Sequence, residues 1–258
     1  MKKSLILFFV ISAWFCSGAK VYEEELHGSI DFIYASKWMS KGVSVWGQQG
    51  GFYEAVNFKL WDTNFGAYTI HRHPTRNNSN RQRLDYGVYY QNKLFDGERY
   101  ATDYRFRWHY EHYPNIARNR FATTQEWAFA FSWPELLECG IVPRYIAFYE
   151  YPAGSGYANS DVTGWGHLFE LRYPMNASVL AEEFGDQKVN LIGRIFYNDG
   201  LGRNKDHDWS HVTLGATTTF ELNKDWSLIP SLYYQISMDD SVSTRDQLYG
   251  TVALRYAF

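Results

Sequence analysis

Apolar and polar side chains alternate with a period of two along most of this chain, and that period is incompatible with helices. The segment from Tyr100 to Glu111 is the clearest case, since its even positions are aromatic or Thr and five of its six odd positions are ionisable. Successive side chains of a strand point to opposite faces, whereas an amphipathic helix repeats its apolar positions about every 3.6 residues. The sequence therefore predicts strands with one apolar face and one charged face.

The alternation recurs about twelve times, and the connections between the segments alternate between short and long. The predicted strands lie near residues 27–38, 50–61, 65–73, 82–93, 99–113, 120–133, 141–151, 163–173, 188–198, 208–222, 226–238 and 247–258. Short turns at one end of an even-numbered set of strands, with longer loops at the other, are typical of outer-membrane barrels. We predict an all-β fold, a transmembrane antiparallel β-barrel of about 12 strands.

The aromatic content and the last strand support a membrane location for this barrel. The chain has 10 Trp, 21 Tyr and 18 Phe, which suits a barrel whose membrane interfaces are ringed by aromatic side chains. The last strand carries an apolar row that ends in Phe258, as the closing strand of an outer-membrane barrel does. We therefore predict the bacterial outer membrane as location, with the barrel-assembly machinery recognising this strand. A soluble β-sandwich or lipocalin-like barrel also alternates, but its inner face is apolar rather than charged.

The N-terminus has the pattern of a secretory signal peptide. Lys2-Lys3 precedes an apolar run from Leu5 to Phe15, and Ser17-Gly18-Ala19 supplies small residues for cleavage after Ala19. The apolar run is too short to cross a membrane as a helix. We predict a signal peptide at residues 1–19 and one barrel domain at residues 20–258.

Charge and cysteine content exclude several classes of function. The chain has 25 Lys and Arg against 28 Asp and Glu, and loss of Lys2 and Lys3 with the signal peptide leaves a net charge of about −5. A net negative charge of this size does not indicate the basic surface that binding of nucleic acid requires. Cys139 is the only cysteine of the mature chain, so neither an intramolecular disulfide nor a thiolate zinc cluster can form. No cofactor is predicted.

The face opposite the apolar rows is predicted to line the lumen. Acids and bases there nearly balance in number, which indicates a mixed charged network. The predicted channel-lining residues are Asp103, Arg105, Arg107, Glu111, Glu126, Arg144, Glu150, Glu170, Arg172 and Arg194. Symmetric hairpins would place Arg107 opposite Glu126, and Arg144 opposite Glu170.

Two local patterns raise the questions of catalysis and of metal binding. Ser, His and Asp occur close together in Asp206–His211, as a lipid hydrolase requires. Ser210 and His211 are adjacent on a strand, however, and are expected to point to opposite faces, so no catalytic residue is predicted. His71 and His73 share one strand face but have no carboxylate beside them in sequence, so no metal site is predicted.

Cations in the longer loops are candidates for contact with the phosphates of lipopolysaccharide, a predicted partner together with the outer-membrane lipids. These cations are Arg76, Arg81, Arg118, Arg120 and Lys205.

Residues 34–68 contain three short motifs that occur together in a known family. Ser40-Lys41-Gly42-Val43-Ser44 is followed by Gln49-Gly50-Gly51-Phe52 and then by Leu60-Trp61-Asp62-Thr63-Asn64-Phe65-Gly66. This segment resembles the opening of the TorF-like outer-membrane porin family, whose first strands carry an Arg-Gly-Val/Ile-Ser motif, a Gly-Gly element and a Trp-Ser-Asn turn. The chain departs from the pattern at Lys41 and at Asp62-Thr63. The resemblance implies an outer-membrane channel and transfers no catalytic residue.

Together these patterns predict a porin-like channel that lets small polar or charged solutes diffuse passively through a narrow charged lumen. Two alternatives from other classes remain, an outer-membrane lipid hydrolase and a closed structural or adhesive barrel. A Ser–His contact on the lipid side would favour the hydrolase, and a lumen blocked by paired charges would favour the closed barrel.

Overall fold

The computed structural model describes residues 27–76, 81–115, 123–153, 163–177, 188–201 and 207–258. The predicted signal peptide lies outside these described residues. The strands are β1 (Gly28–Ala35), β2 (Met39–Ser40), β3 (Val43–Ser44), β4 (Gly51–Lys59), β5 (Phe65–Pro74), β6 (Arg83–Leu94), β7 (Thr102–His112), β8 (Thr124–Ser132), β9 (Val142–Pro152), β10 (Gly164–Asn176), β11 (Lys188–Asp199), β12 (His207–Thr218), β13 (Phe220–Glu221), β14 (Trp226–Ser237) and β15 (Gln247–Ala257). Within the described ranges, no helix is long and apolar enough to cross a membrane.

Within the described residues, twelve of these strands close into a single antiparallel barrel. β4 to β12 pair consecutively, β1 lies between β4 and β15, and β12 pairs with β14 to close the ring. β13 is a short continuation of β12 and pairs with the same strand, β14. The hydrogen-bond ladder that joins β12 and β13 to β14 is interrupted beside Pro230, because proline has no N–H to donate. The predicted all-β antiparallel barrel of about twelve strands is confirmed.

The outer surface of the barrel carries the apolar rows. Large apolar side chains on alternate strand positions are exposed, among them Phe32, Val88, Phe169, Leu171, Leu214, Leu232, Leu248 and Val252. Buried positions between them are largely polar or charged, including Asp85, Glu126, Glu170 and Gln235. A soluble domain has the reverse arrangement, so this distribution matches an apolar solvent outside the barrel and a polar interior.

One of the two predicted pairings is correct. Arg144 lies directly opposite Glu170 between β9 and β10. The pairing of Arg107 with Glu126 is wrong by two residues, because β7 and β8 place Arg107 opposite Ala128 and Glu126 opposite His109. Loop geometry sets the register of a hairpin, and the symmetric loop assumed from sequence was not the one formed. The Arg107 guanidinium nevertheless reaches Glu126 diagonally and pairs with it.

Candidate functional site: a charged lumen crossed by a loop

The connection between β1 and β4, residues 36–50, folds into the barrel and is here named the lumen loop. We call the barrel end from which it enters the loop end, and the end with the short turns the turn end. Sequence reasoning assigned part of this connection to strands at 27–38 and 50–61, but β1 ends at Ala35 and β4 begins at Gly51. Trp38, predicted within a strand, therefore lies in the lumen loop.

The tip of the lumen loop is a tight two-residue turn between β2 and β3. Lys41 and Gly42 both have positive φ, of 52° and 89°. Positive φ at both central residues is the geometry of a type I′ hairpin turn, which costs a Lys more than a Gly. A long cationic side chain in such a strained backbone conformation points to a specific contact for that side chain.

That contact lies on the opposite wall of the barrel. The Lys41 ammonium pairs with Glu150 on β9 and lies 3.8 Å from Glu126 on β8. It also lies 5.3 Å from the ring centre of Phe148. β9 is the sixth strand from β1 in either direction around the twelve-stranded ring. The lumen loop therefore crosses the whole lumen.

Further bonds hold the lumen loop on both sides of its tip. The amide of Gln235 on β14 donates to the Gly42 carbonyl at 2.8 Å, and the Lys37 ammonium donates to Gln247 on β15 at 2.8 Å. Trp46 is only 2% exposed and donates from Nε1 to the carbonyl of Arg81 at 3.1 Å. Arg81 in turn donates to the Val45 carbonyl, so this exposed cation, predicted to contact lipopolysaccharide, also bonds to the lumen loop.

Two glycines of the family-like motifs make room for these contacts. A Cβ on Gly51 would lie 2.0 Å from the Trp46 ring, and a Cβ on Gly42 would lie 2.8 Å from the ring of His211. Both separations are shorter than any tolerated carbon contact. The motif glycines thus allow the lumen loop to pack against the wall at its base and at its tip.

All ten predicted channel-lining residues lie on β7 to β11, and five of them belong to two charged groups that also include neighbours outside this set. In the group nearer the turn end, Glu170 is 2% exposed and meets three guanidinium groups. Its carboxylate lies 2.5 Å from Arg172 and 3.5 Å from Arg144, and it also pairs with Arg194. Three cations around one carboxylate leave this part of the interior with a positive excess.

The second charged group lies at the loop end and includes residues that sequence reasoning missed. Arg83 pairs with Asp85 at 2.8 Å and with Glu111 at 2.6 Å, and Arg72 pairs with Asp85. Arg83 also lies over Trp38 of the lumen loop, 4.6 Å from the ring centre. Arg83 is two residues from Asp85 and shares its strand face, so the alternation could have revealed Arg83 as an inward residue. Arg72 needed the β5–β6 register that places it opposite Arg83.

Asp85, His109 and Glu111 bring three potential metal ligands within 4.8 Å of one another. The two guanidinium groups of Arg72 and Arg83 already neutralise this buried set. His109 also bonds to the hydroxyl of Tyr68 at 2.5 Å. These contacts explain the cluster as an ion-pair network, so we assign no metal to it.

The expectation that Ser210 and His211 point to opposite faces is wrong. The register between β11 and β12 shifts at this point, with Phe196 opposite His211 and Tyr197 opposite Trp209, so Ser210 is the extra residue of a β-bulge. Both side chains point inward, and Ser210 Oγ lies 2.9 Å from His211 Nδ1. Ser210 is fully buried behind Gly42 of the lumen loop. The Ser–His contact therefore exists on the lumen side, where bilayer lipid does not reach.

Because of this location, Ser210→Ala is expected to leave the phospholipid and lipid A profiles of expressing cells unchanged. The measurement is mass spectrometry of extracted lipids, with the wild-type chain and an empty vector as references. A deacylated species that is present with the wild-type chain and lost with a correctly assembled Ser210→Ala variant would contradict this prediction.

Among the described residues, two cavities lie in the interior on the turn-end side of the lumen loop. The first, of about 540 Å³, lies at the turn end, and its charged lining residues are Lys59, Asp103, Arg105, Arg144 and Arg172. The second, of about 280 Å³, lies beneath the loop tip, and its charged lining residues are Lys41, Arg107, Glu126 and Arg194. Arg105 and Arg107 are consecutive inward positions of β7, so the cavities follow one another along the lumen.

Comparison with known proteins supports the fold assignment. No protein-family model matches the chain, and no curated protein sequence matches it. Among solved structures, the KdgM porin is 8% identical with a TM-score of 0.52, and the match covers 89% of this chain and 99% of that one. The fold is that of an outer-membrane porin.

Two further structures agree with this assignment. The NanC porin is 10% identical with a TM-score of 0.52, over 89% of this chain and 98% of that one. The COG4313 outer membrane channel from Pseudomonas putida F1 is 9% identical with a TM-score of 0.52, over 93% of this chain and 99% of that one. At such low identity the likeness establishes the barrel architecture, and the solutes that these proteins carry do not transfer to this chain.

Proposed function

We propose that the protein is a channel of the bacterial outer membrane through which small polar or charged solutes diffuse passively along a narrow lumen. The observation that carries this proposal is the pair of charged cavities that follow one another inside the barrel. An inward-folded loop beside such cavities makes a constriction, and selectivity in channels is set by charged side chains at a constriction. The loop end then faces the cell exterior.

In this proposal the solute passes the ten inward-facing residues predicted from the sequence, together with Lys41 and Lys59. Four basic residues and one acidic residue line the larger cavity, which favours anions over cations at the turn end. Arg105 contributes most directly, because its guanidinium is held by the neutral Gln91 at 3.1 Å and lies 4.5 Å from the Tyr89 ring centre. Its charge is not cancelled by those two partners.

Membership of the TorF-like family is part of the proposal. The support is structural, since the motif residues Lys41, Gly42 and Gly51 are the ones that position the lumen loop. We also propose that β15 is the strand recognised by the barrel-assembly machinery, because it carries an outward apolar row. Contact with lipopolysaccharide phosphates is proposed for the exposed Arg76 and Arg81. Arg118, Arg120 and Lys205 lie outside the described residues.

We propose no enzymatic role. The hydrolase alternative required a Ser–His contact on the lipid side, and Ser210 instead bonds to His211 inside the barrel. A closed structural barrel is the stronger alternative, because a specific observation favours it. Trp38 and Trp46 of the lumen loop are buried, and Phe148, Phe196 and Leu201 form an apolar cluster in the interior near the loop end. An apolar cluster there would narrow the path beside the loop.

Single-channel recording of the refolded protein in planar bilayers distinguishes the two functions. The channel proposal predicts discrete conductance steps smaller than those of sixteen-stranded porins, since lumen width grows with strand number. Refolding is checked in the same sample by heat-modifiable migration on gels. A verified barrel that gives no conductance steps would reject the channel and support the closed structural barrel.

A further inference from the structure

The outer surface of β4 and β5 holds a cluster of three side chains that the proposed channel does not use. His71 Nδ1 lies 3.0 Å from one carboxylate oxygen of Glu54, and His73 Nε2 lies 3.2 Å from the other. The two imidazoles are stacked, with ring centres 5.0 Å apart and planes inclined by 20°. The sequence indicates that His71 and His73 share one strand face, but it shows no carboxylate next to this pair. The β4–β5 register supplies one, because Glu54 lies directly opposite His71.

The geometry of the three side chains suits a metal ion. One ligand atom from each residue lies within 4.8 Å of the others. In a tetrahedral zinc site with bonds of about 2.0 to 2.1 Å, ligand atoms are about 3.3 Å apart, so rotamer adjustments suffice to bring these three into range. Two imidazoles and one carboxylate are a ligand set that zinc takes in proteins, with water in the fourth position.

The cluster is also accessible and not already neutralised by a fixed cation. Glu54 is about half exposed, and within the described part of the chain both of its ion-pair partners are these imidazoles. This differs from Asp85, His109 and Glu111, which the largely buried Arg72 and Arg83 neutralise. His73 is next to Pro74, the last residue of β5, so the cluster lies near the loop end of the barrel. Glu54 is three residues from Gly51, the first residue of β4 at the loop end, and it faces outward opposite Phe32 on β1.

We propose that Glu54, His71 and His73 form a binding site for a divalent transition metal, with Zn²⁺ as its ligand, on the outer rim of the barrel. The ion joins β4 to β5 at the base of the lumen loop, which enters β4 at Gly51. Binding to the folded barrel alone stabilises it against unfolding by mass action, so Zn²⁺ raises the unfolding temperature.

The test is titration of the full chain in detergent with Zn²⁺, in competition with a chromophoric chelator. The expected result is one high-affinity Zn²⁺ per wild-type barrel. His71→Ala with His73→Ala is expected to weaken binding by at least ~10-fold, and Glu54→Gln is expected to weaken it while keeping the side-chain shape. The thermal shift caused by Zn²⁺ should shrink in the same variants.

His112→Ala is the matched control, because His112 also lies at the end of a strand, opposite Leu84 on β6, but stacks on Tyr110 and not on a second imidazole. This variant should bind Zn²⁺ as the wild type does. Equal binding by the wild type and the double-alanine variant would overturn the proposal, and so would absence of binding by a correctly folded wild type. Neither outcome bears on conductance, so the channel proposal is tested separately.

Discussion

Substitution of Gly51 by alanine is expected to displace the lumen loop and to raise single-channel conductance severalfold. A Cβ at this position would lie 2.0 Å from the Trp46 ring, and it would also meet the carbonyl oxygen of His73 at 2.5 Å. Relief of these clashes requires the Trp46 ring to leave its site and the β4–β5 ladder to shift locally. Loss of this anchor frees the base of the loop that narrows the lumen.

Trp46→Ala removes the same anchor without adding a steric clash, and we expect it to raise conductance in the same direction. Gly193→Ala is the matched control, because Gly193 also lies within a strand but has open space where the Cβ would go. Its conductance should equal that of the wild type. If Gly51→Ala and Trp46→Ala both fold and both keep the wild-type conductance, the lumen loop does not limit flow.

The second large effect is expected from the double substitution of Arg105 and Arg107 by alanine. Each of the two substitutions removes a fixed positive charge from a cavity wall. Charges in a narrow, low-dielectric lumen act more strongly on ions than charges at a surface do. The reversal potential in a salt gradient should therefore shift toward cation selectivity. Conductance should rise as well where the long side chains narrow the path.

The same double variant leaves Glu126 without its arginine partner. Lys41 remains 3.8 Å from Glu126, and Arg107 is about a third exposed, so the free energy of unfolding is expected to fall by only about 1 kcal/mol. Arg105→Lys with Arg107→Lys keeps both charges and should keep the selectivity. An unchanged reversal potential in a conducting double-alanine variant would show that these arginines do not line the path.

The positions of the barrel strands could be predicted closely from the sequence. A strand of an outer-membrane barrel meets hydrocarbon on one side and a polar interior on the other, so each strand carries the full alternation in its own residues. The segment from Tyr100 to Glu111 shows this, and β7 runs from Thr102 to His112. The inward parity of Arg144 and Glu170 follows in the same way, and the pairing of these two residues was also correct.

Contacts between distant segments were decided by the tertiary structure. Lys41 and Glu150 are 109 positions apart, and no local pattern indicates that a loop after β1 crosses the lumen to reach β9. The bulge at Ser210 turned two adjacent side chains to the same face, because strand parity holds only while the register is unbroken. The pairing of Glu54 with His71 likewise needed the β4–β5 register.

The sequence by itself thus determined the all-β barrel, its strand positions and the side of the wall on which most residues lie. These properties depend on the contrast between lipid and lumen, which acts on every strand separately and with a period of two. Only the tertiary structure decided most of the charge pairings, where the lumen is narrowed and which carboxylate lies beside the histidine pair. Those contacts depend on register and on loop direction, which are set by interactions between segments far apart in the chain.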